Sequence, residues 1–166
     1  VSGKRIDRSV FGEVLSVGGL ALTGPAACVV ATGRLDLLAA CVWIAFWTKY
    51  VSGIYNVKML VGATKARPAA GRWQAGRGLL IYHAVLLTAV IVASVALGWP
   101  VGGLVAIAYL PLFLRAIYGW WRLSGRVTKL KTIGLLELCY TLWFVIFASA
   151  ALRFVGAGAY QPSIGL

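Results

Sequence analysis

Residues 78–97 read GLLIYHAVLLTAVIVASVAL, a run of 20 residues that contains no Asp, Glu, Lys or Arg. Its apolar residues are continuous rather than alternating, which favours a helix over a strand of an outer-membrane barrel. At 1.5 Å per residue, about 20 residues of helix cross the hydrocarbon of a bilayer. The run therefore predicts a transmembrane helix.

Four further runs of similar length and composition flank this one. Together they predict an all-α, polytopic transmembrane helix bundle of about five helices, forming a single domain over residues 1–166. The predicted helices are Val10–Val30, Leu37–Val57, Gly78–Leu97, Val101–Trp121 and Leu135–Val155.

The first run has features of its own. It is too long for the apolar region of a cleaved signal peptide, so we expect a retained anchor. Pro25 follows Gly24 and should kink this helix, because proline removes a backbone donor and clashes with the preceding turn. Gly12, Ser16 and Gly19 share one side of the helix, and small residues allow neighbouring helices to approach closely.

The composition excludes a soluble domain. Hydrophobic residues make up 61% of the chain and charged residues only 12%, against roughly one quarter charged in soluble proteins. The net charge is +12 at pH 7. In so apolar a chain, this charge indicates anionic lipid rather than nucleic acid as the partner.

The positive charges are concentrated in alternate connections. Lys4, Arg5 and Arg8 precede the first run, and the other clusters follow the second and fourth runs. The positive-inside rule then places the N-terminus and both long connections in the cytoplasm and the C-terminus outside, in a bacterial inner membrane. The residues predicted to contact anionic lipid or partner subunits are Lys58, Lys65, Arg67, Arg72, Arg77, Arg122, Arg126, Lys129 and Lys131.

Each predicted helix contains one ionisable side chain. Such side chains are costly in lipid and usually face the interior of a bundle and pair. We therefore expect an intramembrane polar cluster facing the cytoplasm, although Arg115 can also snorkel, and the two glutamates lie near helix starts, where the helix dipole favours them. The cluster comprises Glu13, Lys49, His83, Arg115 and Glu137.

Histidine and cysteine residues provide little for a cofactor. His83 is the only histidine, so a single axial bond to a tetrapyrrole stays open, but a hydrogen-bonded packing role is favoured. Cys28, Cys41 and Cys139 have no metal-ligand spacing and are expected as small hydrophobes, with a Cys28–Cys41 bridge as the exception. The sequence therefore predicts no metal site and no catalytic residue, and it leaves the cofactor unknown.

The tryptophans fall into two groups. Those near the predicted interfaces, such as Trp99 and Trp121, are expected to anchor the chain at the membrane surface. Trp43, Trp47 and Trp143 lie deeper, where contact with the core or with lipid is favoured over lining a site for a lipid, quinone or pigment.

Three short motifs resemble those of the bacterial YwiC-like membrane proteins: RSVFGE at residues 8–13, RAIY at 115–118 and KTIGLLE at 131–137. The resemblance covers most of the chain but corresponds to the C-terminal part of that family. Further helices and a His-Gly-Ala-Trp motif of the family do not occur here, which puts any function needing them in doubt. The resemblance singles out Glu13, Arg115 and Glu137 and implies no established activity.

These patterns favour an accessory or scaffolding subunit of a larger bacterial membrane complex, one for respiratory or photosynthetic electron transfer. No familiar catalytic motif is present, which favours a protein that is not an enzyme without deciding the question. The alternative is a membrane-embedded enzyme or carrier that acts on a lipid-soluble substrate through the cytoplasm-facing polar cluster.

Overall fold

The computed structural model describes residues 10–65, 71–123 and 130–159. Every element in these ranges is an α-helix, so the predicted all-α class is confirmed. The helices are α1 (Val10–Ala21), α2 (Thr23–Thr32), α3 (Leu37–Lys65), α4 (Gly71–Leu97), α5 (Val101–Trp121) and α6 (Leu130–Ala159).

Within the described residues, five segments are long and apolar enough to cross a membrane, as predicted. They are Val10–Ala31, Leu37–Gly62, Trp73–Leu97, Val101–Trp121 and Lys131–Val155. The first combines α1 and α2, and each of the others lies in one helix. The chain is therefore a multi-pass membrane protein by the length and composition of its helices.

The helices group into two compact units that divide inside α3. Unit 1 comprises Val1–Lys58 and unit 2 comprises Met59–Leu166. In unit 2, α4 packs against α5 and α5 against α6. The single domain inferred from the sequence stays a prediction.

The first span is interrupted at Leu22, just before Pro25, where a kink was expected. Leu22 donates its N–H to the Gly19 carbonyl at 3.1 Å, one residue nearer than in an α-helix. Pro25 has no N–H to offer the preceding turn. The Thr23 hydroxyl donates to the Leu20 carbonyl at 3.0 Å and satisfies one acceptor at this interruption.

Two tryptophans of α3 hold α1 within unit 1. The Trp43 and Trp47 rings stack with centroids 5.1 Å apart. Trp43 donates its indole N–H to the Gly18 carbonyl and Trp47 to the Val14 carbonyl, each at 2.9 Å. In an uninterrupted helix Leu22 would donate its N–H to the Gly18 carbonyl. Trp43 therefore replaces a backbone donor that is lost at the interruption.

The close approach on α1 occurs at Gly18 and not at Gly19. A Cβ atom at Gly18 would lie 3.0 Å from the Trp47 indole nitrogen, whereas one at Gly19 would meet no described atom within 4 Å. Within the described residues, Gly18 and not Gly19 therefore allows the close approach of a neighbouring helix. The helix turns by about 100° per residue, so neighbouring glycines face different directions.

The turn between α4 and α5 depends on two glycines. Gly98 adopts a positive φ of 65°, which glycine tolerates without steric cost. Gly102 lies against the backbone of α4, where a Cβ atom would overlap the Ser94 carbonyl. This close contact fixes how α5 begins beside α4.

Helix α5 contains a proline whose missing donor is replaced by α6. Pro111 lies inside α5, so the Ile107 carbonyl has no helical N–H to accept from. Trp143 of α6 donates its indole N–H to this carbonyl at 3.0 Å. The Tyr109 and Phe144 rings meet edge to face nearby, with centroids 5.2 Å apart. The contact between α5 and α6 is thus both apolar and hydrogen-bonded.

Candidate functional site

An ion pair joins α5 to α6 inside two of the spans of unit 2. The Arg115 guanidinium donates through Nη1 to Oε1 of Glu137. The Arg115 side chain is 10% exposed and that of Glu137 is 27% exposed. In hydrocarbon each charge alone would be costly, so the pair lowers the cost of placing both in the membrane.

One face of α6 provides Glu137 and the side chains next to it. Glu137, Tyr140 and Thr141 are three and four residues apart, so their side chains lie on the same side of the helix. The Cζ atom of Arg115 lies 5.2 Å from the Tyr140 ring centroid, a distance at which a cation interacts with an aromatic face. The Thr141 hydroxyl donates to the Glu137 carbonyl at 2.7 Å.

His83 of α4 belongs to the same unit and is 6% exposed. Its Nδ1 lies 2.8 Å from the Leu79 carbonyl. A carbonyl only accepts, so Nδ1 carries the proton in this contact. The Phe113 ring meets the imidazole edge to face at 6.1 Å between centroids.

A tetrapyrrole does not fit His83 as it is packed here. An axial ligand needs a flat space beside the coordinating nitrogen large enough for a macrocycle. The imidazole is instead buried, with Phe113 and Tyr82 both meeting it edge to face. Axial ligation through Nε2 would require these aromatic contacts to rearrange.

In unit 1, Glu13 of α1 pairs with Lys58 of α3. The Lys58 Nζ and Glu13 Oε1 atoms are 3.0 Å apart, and both side chains are partly exposed. The sequence predicts that Lys58 contacts anionic lipid or partner subunits and gives no signal of this pair. An acid and a base on separate helices give no spacing signal in the sequence, because their meeting depends on helix register.

Lys49 lies near the middle of the span Leu37–Gly62 and is only 5% exposed. Its Nζ atom is 4.8 Å from the Tyr50 ring centroid. Ser52 and Asn56 are also buried and follow Lys49 at spacings of three and seven residues, which is one face of a helix. The predicted polar cluster omits both residues, although their spacing from Lys49 is a signal that the sequence contains.

Three of the five predicted cluster residues, His83, Arg115 and Glu137, belong to unit 2, where Arg115 and Glu137 form an ion pair. The other two, Glu13 and Lys49, belong to unit 1. Each unit holds an ion pair of its own.

Of the predicted basic contact residues, Arg77, Arg122 and Lys131 are described and exposed. Arg122 donates from Nη1 to the Tyr118 hydroxyl. Arg67, Arg126 and Lys129 lie outside the described residues, as do Lys4, Arg5 and Arg8 and the side chains of Lys65 and Arg72.

The described part of the chain contains no cluster of side chains that could bind a metal ion. No three His, Cys, Asp or Glu residues there lie close enough to hold a metal ion. The Cys28–Cys41 bridge is not formed, and Cys41 and Cys139 are exposed rather than buried. The expectation that the cysteines serve as buried hydrophobes is therefore wrong for these two.

Comparison with known proteins finds no matching family model, no matching curated protein and no matching solved structure.

Proposed function

We propose that this chain is an accessory or scaffolding subunit of a larger membrane complex. The observation that carries the proposal is the ion pair between Arg115 and Glu137. Two opposite charges that neutralise each other between adjacent spans fix helix register and lower the cost of insertion. Charges used in this way serve assembly of the fold rather than chemistry on a substrate.

The outer surface of α6 supports the same proposal. Only 11% of the last span is buried within the chain, and Leu135, Leu138, Leu142 and Ile146 are exposed on this helix. Such a surface is compatible with packing against helices of other subunits in the membrane. Identification of the partner subunits would identify the process, which we propose to be respiratory or photosynthetic electron transfer.

A charge-reversal experiment tests the structural role of the ion pair. Arg115→Glu and Glu137→Arg each place two like charges together between α5 and α6 and should destabilise the chain by about 3 kcal/mol. The double variant again pairs opposite charges, now with the acid on α5 and the base on α6. We expect each single variant to lose partner subunits on affinity purification and the double variant to regain them.

The matched control is Arg153→Gln, which removes an exposed charge from the other end of α6 and should leave partner recovery unchanged. If both single variants still recover partner subunits on affinity purification, the proposal is contradicted. A double variant that folds as judged by circular dichroism and recovers its partner subunits, but whose membranes lose their electron-transfer activity, would instead indicate a chemical role for the pair.

The alternative function, an enzyme or carrier for a lipid-soluble molecule, also has an observation in its favour. Lys49, Ser52, Asn56 and His83 are buried polar residues within the spans. Polar residues at that depth are often parts of substrate or proton pathways. Purification of the chain alone, without partner subunits, would favour this function over the accessory role.

Orientation forms a further part of the proposal. By the positive-inside rule we place the N-terminus and the basic ends of the spans in the cytoplasm of a bacterium, and five crossings of the inner membrane then leave the C-terminus outside. In a cysteine-free background, Trp99→Cys should react with an impermeant maleimide in intact cells. Arg77→Cys should react only after permeabilisation, and the reverse pattern would overturn this orientation.

Membership of the YwiC-like proteins stays a proposal as well. It is supported by the three short motifs and by the pairing of Arg115 with Glu137, which lie in two of them. A systematic comparison that includes the N-terminal half of this family would test it.

A further inference from the structure

One end of unit 2 collects exposed cations and aromatic rings. Helices α4, α5 and α6 pack in sequence, and the short turn at Gly98 makes α4 and α5 antiparallel. The start of α4 therefore lies beside the end of α5, where Gly76 contacts the Trp120 indole so closely that a Cβ atom would overlap it.

The cations of this end are exposed. Arg77 lies on α4, Arg122 follows α5 directly, and Lys131 begins the last span, and all three are exposed. Trp73 of α4 and Trp121 of α5 are exposed beside them. Lys and Arg with tryptophan at the end of a span mark the level of lipid headgroups. We refer to Arg77, Arg122 and Lys131 as the basic rim.

Unit 2 has no acid to balance the rim. Residues 59–166 contain ten Lys or Arg residues and one acid, Glu137. That acid is paired with Arg115. Negative charge for the rim must therefore come from outside the unit.

Arg122 is held in a defined position. It donates one N–H to the Tyr118 hydroxyl, one turn earlier on α5, and its Cζ atom is 5.7 Å from the Tyr118 ring centroid. A guanidinium has five N–H donors in a fixed fork. One bond to Tyr118 orients this fork and leaves donors for the two oxygens of a phosphate.

We propose that the basic rim binds the phosphate of an anionic phospholipid headgroup, with Arg122 as the oriented donor and Arg77 and Lys131 as supporting charges. The adjacent exposed tryptophans favour a lipid phosphate over a soluble one, because their rings contact the acyl chains and glycerol region of the same molecule. This inference does not depend on the accessory role of the chain.

Native mass spectrometry of the delipidated chain in a neutral detergent tests the proposal. The chain is titrated with phosphatidylglycerol and, separately, with phosphatidylcholine. We expect saturable binding that is at least about tenfold tighter for phosphatidylglycerol, since each Lys or Arg near an anionic surface contributes about fivefold. Arg122→Gln should weaken phosphatidylglycerol binding about fivefold, and Arg122→Gln with Arg77→Gln and Lys131→Gln should abolish the preference.

Two control variants test whether lipid binding depends on the basic rim. Arg153→Gln removes an exposed cation from the other end of α6 and should leave the preference intact, and Tyr118→Phe should weaken binding less than Arg122→Gln. Equal affinity for the two lipids, an equal effect of Arg153→Gln, or displacement of phosphatidylglycerol by millimolar inorganic phosphate would each overturn the lipid site.

Discussion

The Trp143 side chain supplies a hydrogen-bond donor that the neighbouring helix α5 lacks at its proline. Pro111 leaves the Ile107 carbonyl of α5 without a helical donor, and the Trp143 indole donates to it from α6 at 3.0 Å. Within a span, water cannot replace a missing donor. The indole therefore acts as a structural hydrogen-bond donor between α5 and α6.

Replacing Trp143 by Phe should destabilise the chain by about 1 kcal/mol, because the Ile107 carbonyl loses its donor. Pro111→Ala restores a backbone N–H for the same carbonyl. The cost of Trp143→Phe should therefore fall by roughly half or more when Pro111→Ala is present. Unfolding by SDS in mixed micelles, followed by circular dichroism, measures both costs.

Trp121→Phe is the matched control, since Trp121 is an exposed tryptophan at the end of α5. Its cost should be small and the same with or without Pro111→Ala. An unchanged cost of Trp143→Phe in the Pro111→Ala background would show that the indole does not compensate for the proline.

At this scale the sequence identified the charged residues but not their partners. Arg115 and Glu137 were singled out by their cost in lipid, and they do meet. Lys58 was assigned to lipid, yet it pairs with Glu13. That meeting depends on the register of α1 against α3, which the Trp43 and Trp47 hydrogen bonds help to set and which no local pattern encodes.

Among the elements, the apolar runs located the spans but not the helix ends. The predicted second helix ended at Val57, whereas α3 continues to Lys65, and α4 begins at Gly71 instead of Gly78. Lys, Arg, Ala and Met are good helix formers, so helices extend into the basic stretches. Hydropathy locates only the part of a helix that lies in the hydrocarbon of the membrane. Backbone hydrogen bonding continues the helix beyond that part.

The start of α5 provides the sharpest test of helix packing. Gly102→Ala would place a Cβ atom onto the Ser94 carbonyl, and backbone cannot move aside as a flexible side chain can. We expect a loss of about 2 kcal/mol or more in the free energy of unfolding. SDS unfolding in mixed micelles measures it.

Gly134→Ala is the control for this change. Gly134 lies in α6, and a Cβ atom there would meet no described atom within 4 Å. Since alanine favours a helix over glycine by about 1 kcal/mol, stability should stay level or rise. Similar losses for the two variants would contradict the tight contact between α4 and α5.

For the whole molecule, composition was sufficient to predict a multi-pass helical membrane protein, because so few charges cannot cover a soluble surface. It was not sufficient to predict the division into two units inside α3. A continuous helix gives no composition change at Lys58, so no linker signal marks this boundary. Within unit 2, two residues of the polar cluster that the sequence predicts, Arg115 and Glu137, form an ion pair.

The most direct test of the accessory role is the mass of the native particle that contains this chain, after mild detergent extraction from its own membrane. We expect a particle far heavier than 17.7 kDa plus detergent, with other subunits identified in it. A lone monomer or a homo-oligomer would contradict the accessory role and direct attention to the buried polar residues of each unit, namely Lys49, Ser52 and Asn56 in unit 1 and His83 in unit 2.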